Sequence, residues 1–92
     1  MLRVCLYVAG GAPNSIAALA SLRAVLAAFP EHPVELEIVD VVATPERGFT
    51  DGVMITPMLR KLGPAPERRV LGNLRDHRLL REVLGFAEVL DD

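Results

Sequence analysis

Residues 2–15 read Leu2-Arg3-Val4-Cys5-Leu6-Tyr7-Val8-Ala9-Gly10-Gly11-Ala12-Pro13-Asn14-Ser15, and this stretch decides the fold. The run over residues 2–9 is apolar apart from Arg3, and Val4, Tyr7 and Val8 favour extended backbone. An apolar run without alternation is the pattern of a strand buried on both faces. Gly10 and Gly11 punctuate its end. Pro13 then suits the first turn of a helix, where its missing N–H costs no hydrogen bond.

Working outward, Ile16, Leu19, Leu22, Arg23 and Leu26 recur at three- and four-residue steps, with Val25 and Phe29 broadening the stripe. Alanines at 17, 18, 20, 24, 27 and 28 raise helix propensity, and Pro30 and Pro33 stop the helix. Residues 34–41, Val-Glu-Leu-Glu-Ile-Val-Asp-Val, alternate at first and then turn continuously apolar, which predicts a second strand with a wetter beginning. Strand, helix and strand over residues 2–41 form a β-α-β unit, so the two strands run parallel with a right-handed crossover.

Signals are weaker in the second half. Thr44 and Pro45 read as N-cap and first residue of a helix that Gly48 and Gly52 keep short. Thr56-Pro57 opens a strand over residues 58–62. A turn, Gly63-Pro64-Ala65-Pro66, leads to another strand over 68–72. Asp76 caps a last helix whose stripe is Leu79, Leu80, Val83, Leu84 and Phe86. The order β-α-β-α-β-β-α predicts an α/β, thioredoxin-like fold: a mixed four-stranded sheet in spatial order 2-1-3-4 with helices on both faces. Pro57, opening strand three, is the candidate for a cis peptide bond, a conformation that is almost confined to X–Pro.

Composition narrows the function classes. The chain has 92 residues, 51% of them hydrophobic and 24% charged, with net charge −2. That predicts one domain over residues 1–92 with one core. The two halves carry charges of about −3 and +1 by residue count, which lacks the strongly basic face of a nucleic-acid protein. Arg60, Lys61, Arg68 and Arg69 suit an acidic protein surface instead. No apolar run approaches a membrane span, and the N-terminus lacks a signal-peptide pattern. The single cysteine, Cys5, fits a reducing cytoplasm.

A redox enzyme of this fold needs a cysteine at the first βα turn, where a helix N-terminus lowers the thiol pKa. The turn here holds none, and Cys5, mid-strand, reads as a small core residue. The glycines before a helix give the turn some character of an anion cradle, and a glutathione-binding protein would use it with Ser15 and the Thr56-Pro57 backbone. The spacing matches no phosphate-binding motif, however. His32 and His77 have no second ligand at metal spacing and read as solvated residues, so no metal or cofactor is expected. Asp40 has no His or Ser partner for base catalysis and reads as a capping or pairing group. Glu35 and Glu37 share a face of strand two, an edge strand in this topology. There they either guard the edge or border a place where a partner strand adds.

Taken together, Leu6-Tyr7-Val8-Ala9-Gly10 with Pro13-Asn14-Ser15, Ile38-Val39-Asp40-Val41, Thr44-Pro45, Thr56-Pro57 with Leu59, Arg68-Arg69 before Leu71-Gly72, and Leu74 resemble the KaiB family of circadian-clock proteins. The resemblance implies binding to the N-terminal ring of a KaiC-type ATPase and support of its dephosphorylating phase, without catalysis by this chain. It also implies capture of KaiA-like or histidine-kinase output proteins along the edge carrying Val34, Glu35, Leu36 and Glu37. Asp51, Lys61, Arg68 and Arg69 are the further charged residues expected at partner contacts. Self-association as a dimer or tetramer is part of the same picture. So is a second arrangement of the chain, β-α-β-β-α-α-β, which requires two packings within a few kcal/mol of each other. Ala65 interrupts the family's proline run before Arg68, and Val83 and Gly85 stand where familiar members have Gly and Asp. The other readings of the same residues are the sensory module of a histidine kinase and a glutathione-binding thioredoxin-like protein.

Overall fold

The computed structural model describes residues 1–72 and 74–86. Its elements are β1 (Leu2–Val8), α1 (Pro13–Ala28), β2 (Val34–Asp40), α2 (Pro45–Thr50), β3 (Met58–Gly63), β4 (Arg68–Leu71) and α3 (His77–Leu84). The sheet order is β2-β1-β3-β4, as the element sequence predicts. β1 pairs parallel with β2, from Leu2 opposite Val34 to Val8 opposite Asp40. It pairs antiparallel with β3, and β3 pairs antiparallel with β4. The described residues therefore take the β-α-β-α-β-β-α arrangement.

β1 lies inside the sheet, which explains its lack of alternation. Leu2, Val4, Leu6 and Val8 enter one cluster with Leu22 and Val25 of α1, Leu59 of β3 and Leu80, Val83 and Leu84 of α3. Cys5 and Tyr7 enter a second cluster on the opposite face with Val39 and Met58. Complete burial of a side chain such as Leu6 contributes about 1.5–3 kcal/mol.

The face of α1 differs from the predicted stripe. Ser15, Ala18, Leu22 and Val25 are its buried residues, whereas Ile16 is 59% exposed and Arg23 lies in solvent. Alanines make this helix apolar nearly all round, so several stripes fit the sequence equally well. Tertiary packing selects the one whose small Ser15 and Ala18 let the helix approach the sheet closely.

Two local expectations are refined and one holds. Thr44 stands at the N-cap of α2, but its hydroxyl donates to the Asp40 carbonyl at 3.0 Å and caps nothing. Asp76 does cap α3, its Oδ1 accepting from the Arg78 N–H at 2.9 Å and the Leu79 N–H at 3.3 Å. His32 is not simply solvated: its ring stacks on Phe86 at 4.7 Å and 17°, tying the loop after α1 to the end of α3.

A candidate protein-docking site

Three features draw on β1, β2, β3 and the segments that connect them. The first is the βα turn. Gly10, at φ +55°, gives its N–H to the Asp40 carboxylate at 2.9 Å, and the same Oδ1 accepts from the Val42 N–H at 2.9 Å. These backbone donors, Val42 first and then Gly10, hold the Asp40 pKa below the ordinary carboxylate value. The Ser15 hydroxyl is engaged as well, accepting from the Ala9 N–H at 3.0 Å.

Beside this turn, Asn14, Ala18, Pro57, Gly72, Leu74 and Arg75 line a shallow cavity of about 190 Å³. The Thr56–Pro57 bond in its wall is cis. No thiol lines it. Cys5, the one cysteine, is buried in β1, and burial raises its pKa. The cavity holds no group suited to disulfide exchange among the described residues.

The second feature is a polar network under α2. The Tyr7 hydroxyl, at the centre of the sheet, donates to Asp51 Oδ2 at 2.7 Å. Arg47 of α2 grips Glu37 of β2 with both terminal nitrogens, at 2.8 and 3.2 Å, and its Nε reaches Asp51 at 3.4 Å. Arg60 of β3 lies 3.5 Å from the Tyr7 oxygen and donates to Glu67 at 2.6 Å. Burial first, and then the bond to Asp51, push the Tyr7 pKa up to about 12. The same tyrosine bond, followed by Arg47 and Arg60, lowers the Asp51 pKa, while Arg47 lowers that of Glu37.

The third feature is apolar and exposed. Phe49 and Met54 are each 90% exposed, and Ile55 and Val42 are more than half exposed. These residues occupy α2 and the loops flanking it. Such uncovered large side chains are the usual material of a partner-binding surface.

The residues expected at partner contacts do not form one patch. Val34, Glu35, Leu36 and Glu37 lie on β2 at one sheet edge, while Arg68 and Arg69 lie on β4 at the other. Val34 and Leu36 pack against the core. Glu35 pairs with Arg3 at 3.4 Å, and Glu37 is committed to Arg47. Asp51 sits between the edges, in the α2 network. Lys61, expected as part of a surface cation patch, is only 7% exposed, in register between Val4 and Arg68.

Sequence reasoning missed Phe49, Met54 and Ile55 because apolar residues are ordinarily assigned to the core. The available signal was the six-residue length of the helix. A segment stopped by Gly52 and interrupted by Gly48 has no room for a second apolar turn to draw Phe49 inward.

Among the described residues, no His, Cys, Asp and Glu cluster is placed to hold a metal, and no helix is long and apolar enough to cross a membrane. In structure, the chain is similar to the N-terminal domain of Synechococcus elongatus SasA, with TM-score 0.72 and 26% identity over 98% of this chain and 89% of that one. It is also similar to Fasciola hepatica thioredoxin, with TM-score 0.73 and 24% identity over 91% and 78% of the respective chains, a likeness of fold alone. In sequence, the circadian clock oscillator protein KaiB of Prochlorococcus marinus is 41% identical over 95% of this chain and 79% of its own length. The protein of that name from a Synechococcus species is 37% identical over 95% and 71%. The family model described as the KaiB domain matches residues 5–86. A thioredoxin-like sheet without its redox cysteines, joined to sequence agreement along nearly the whole chain, places this protein in the KaiB family of circadian clock proteins.

Proposed function

We propose that this chain is a non-catalytic timing component that docks on a KaiC-type ATPase ring and steers its phosphorylation and ATPase cycle toward dephosphorylation. The observation that carries this reading is the exposed apolar surface of Phe49, Met54 and Ile55 on a KaiB-family scaffold. Large uncovered side chains of this kind become binding hot spots when a partner removes them from water. Arg69 borders this surface at Gly52, where an added Cβ would lie 3.7 Å from its Nη1, and Asp51 stands behind it, held by Tyr7 and Arg47. Arg68 extends the cationic edge. The outer edge of β2, residues 34–37, is the place for an added strand from a KaiA-like or histidine-kinase output protein. The work is done in the cytoplasm, with no cofactor.

The test mixes the purified chain with the KaiC-type ATPase of its own source. Co-migration on a sizing column and a changed ATPase rate are expected. The double variant Phe49→Ala/Met54→Ala binds at least about 30-fold more weakly, the scale of one hot spot. Neither co-migration nor a rate change with the wild-type chain would overturn the reading. A second reading, the sensory module of a histidine kinase, draws on the likeness to the SasA domain. It predicts that fusion to a kinase core, and not the free chain, alters phosphorylation.

A further inference from the structure

Resting on the docking surface just described, we propose that Glu37 and Tyr7 are positioning residues: two polar clasps hold α2 on the sheet and thereby present Phe49 and Met54. A helix of six residues has no independent stability in water. Gly48 in its interior weakens it further, and the Thr44 side chain supplies no cap. Nor does apolar packing anchor it in the usual way, since Gly48 is the one buried residue of α2. That glycine lies flat on Val41, where an added Cβ would stand 3.1 Å from Cγ1.

Past the helix, Val53 packs against the cluster of Cys5, Tyr7, Val39 and Met58. The side-chain attachments of α2 and its C-cap are polar and come from two strands. Glu37 of β2 takes both terminal nitrogens of Arg47. Tyr7 of β1 reaches Asp51 at the helix C-terminus, and Arg47 joins the two clasps through its 3.4 Å contact with Asp51. Arg60 of β3 faces the same cluster while engaged with Glu67. The side chains of Arg47 and Glu37 are 40% and 55% exposed. A pair so wet is weak alone, and the clasp therefore opens more readily than the sheet beneath it.

This assigns Glu37 an inward task. Its carboxylate belongs to the fold of its own chain before it belongs to any partner at the β2 edge.

Amide hydrogen exchange on the full chain tests the proposal. The reporters are the Asp51 N–H, bonded to the Arg47 carbonyl, and the Val53 N–H, bonded to the Gly48 carbonyl. In Glu37→Gln these amides are expected to exchange up to about fivefold faster, the scale of an exposed ion pair, while the β1 amides of Leu6 and Tyr7 keep their rates. Gly48→Val, which drives a side chain into Val41, removes protection altogether. Unchanged α2 exchange in Glu37→Gln, or an equal change throughout the sheet, would each overturn the clasp.

Ring affinity forms the second arm. Binding follows the fraction of chains with α2 seated, so an about fivefold rise in a small open population leaves affinity nearly unchanged. The proposal therefore expects Gly48→Val, which unseats α2, to weaken binding to the KaiC-type ring at least about tenfold. If Gly48→Val loses α2 protection and keeps its affinity, while Phe49→Ala still weakens binding, the positioning role is wrong and the docking surface stands. If Phe49→Ala is also without effect, the docking surface itself fails, whatever the exchange shows.

Discussion

The Tyr7 hydroxyl donates to the Asp51 carboxylate at 2.7 Å, joining the central strand to the end of α2 across 44 positions of chain. Tyr7 is 1% exposed, so its hydroxyl depends on this partner and on Arg60 for the hydrogen bonds water would otherwise supply. Tyr7→Phe is expected to lower stability by about 1–2 kcal/mol in urea unfolding, since Asp51 loses its shortest bond while keeping Arg47. The Asp51 pKa should move up toward the ordinary value in the same variant, which a carboxyl NMR titration reads.

Tyr7 is the one tyrosine of a chain without tryptophan, so its ionisation is visible without interference. Its pKa rises from 10 when unfolded to about 12 when folded. The unfolded chain releases this proton first. The stabilisation is therefore complete below about 10 and is lost as pH climbs toward 12. Absorbance of phenolate is expected to appear near 12, or together with alkaline unfolding. A titration centred at the ordinary value in the folded protein would contradict the buried bond.

At the acid end the sign reverses. Tyr7 and Arg47 depress Asp51, Arg47 depresses Glu37, and the Val42 and Gly10 N–H groups depress Asp40. The groups facing this cluster are Arg47 of α2, Arg60 of β3 and Tyr7 and Cys5 of β1. Stability from these carboxylates is present above their ordinary pKa and is lost as pH falls through the lower folded values. Urea midpoints measured from about pH 7 to about pH 2 should fall on the acid side. Glu37→Gln should make that fall shallower. A midpoint independent of pH in the wild type would count against the network.

Cys5 is 1% exposed within β1, and burial raises its pKa, so the thiolate is both scarce and covered. A maleimide or aromatic disulfide reagent is expected to label the native chain only as fast as it opens. Labelling at the rate of a free thiol, before any denaturant is added, would show that β1 is not the closed centre described.

Asp76 accepts two backbone bonds at the start of α3, and Asp76→Ala should cost about 0.5–2 kcal/mol. Thr44→Ala, at the corresponding position of α2, should cost less, because its hydroxyl satisfies no helix donor. Equal losses in thermal or urea unfolding would contradict the different geometry of the two caps.

The element order and strand arrangement were legible because they rest on strong local signals: the apolar run of β1, broken only by Arg3, the prolines bounding α1, and the turn residues between β3 and β4. What the sequence concealed depended on neighbours distant along the chain. Ile16 fits an apolar stripe as well as Ala18 does, and only the sheet beneath decides between them. Lys61 carries a charge and was placed with Arg60, Arg68 and Arg69 on the surface, yet its position on β3 puts it beside Val4. Glu35 and Glu37 were recognised as edge residues, but their bonds to Arg3 and Arg47 arise from register and from where α2 lands. Phe49 was lost for the converse reason. Hydrophobicity predicts a preference for burial, and the shortness of α2 prevents that preference from being met.

β1 is flanked by β2 and β3 and buried on both faces, which bears on how a newly made chain emerges from the ribosome. Synthesis delivers β1, α1 and β2 first, so the parallel pair is able to close early. The other border of Cys5, Leu6 and Tyr7 stays bare until the partner segment from Met58 onward has been translated. During that interval the future centre of the molecule is an open, greasy margin, and crowding among nascent chains becomes its principal hazard.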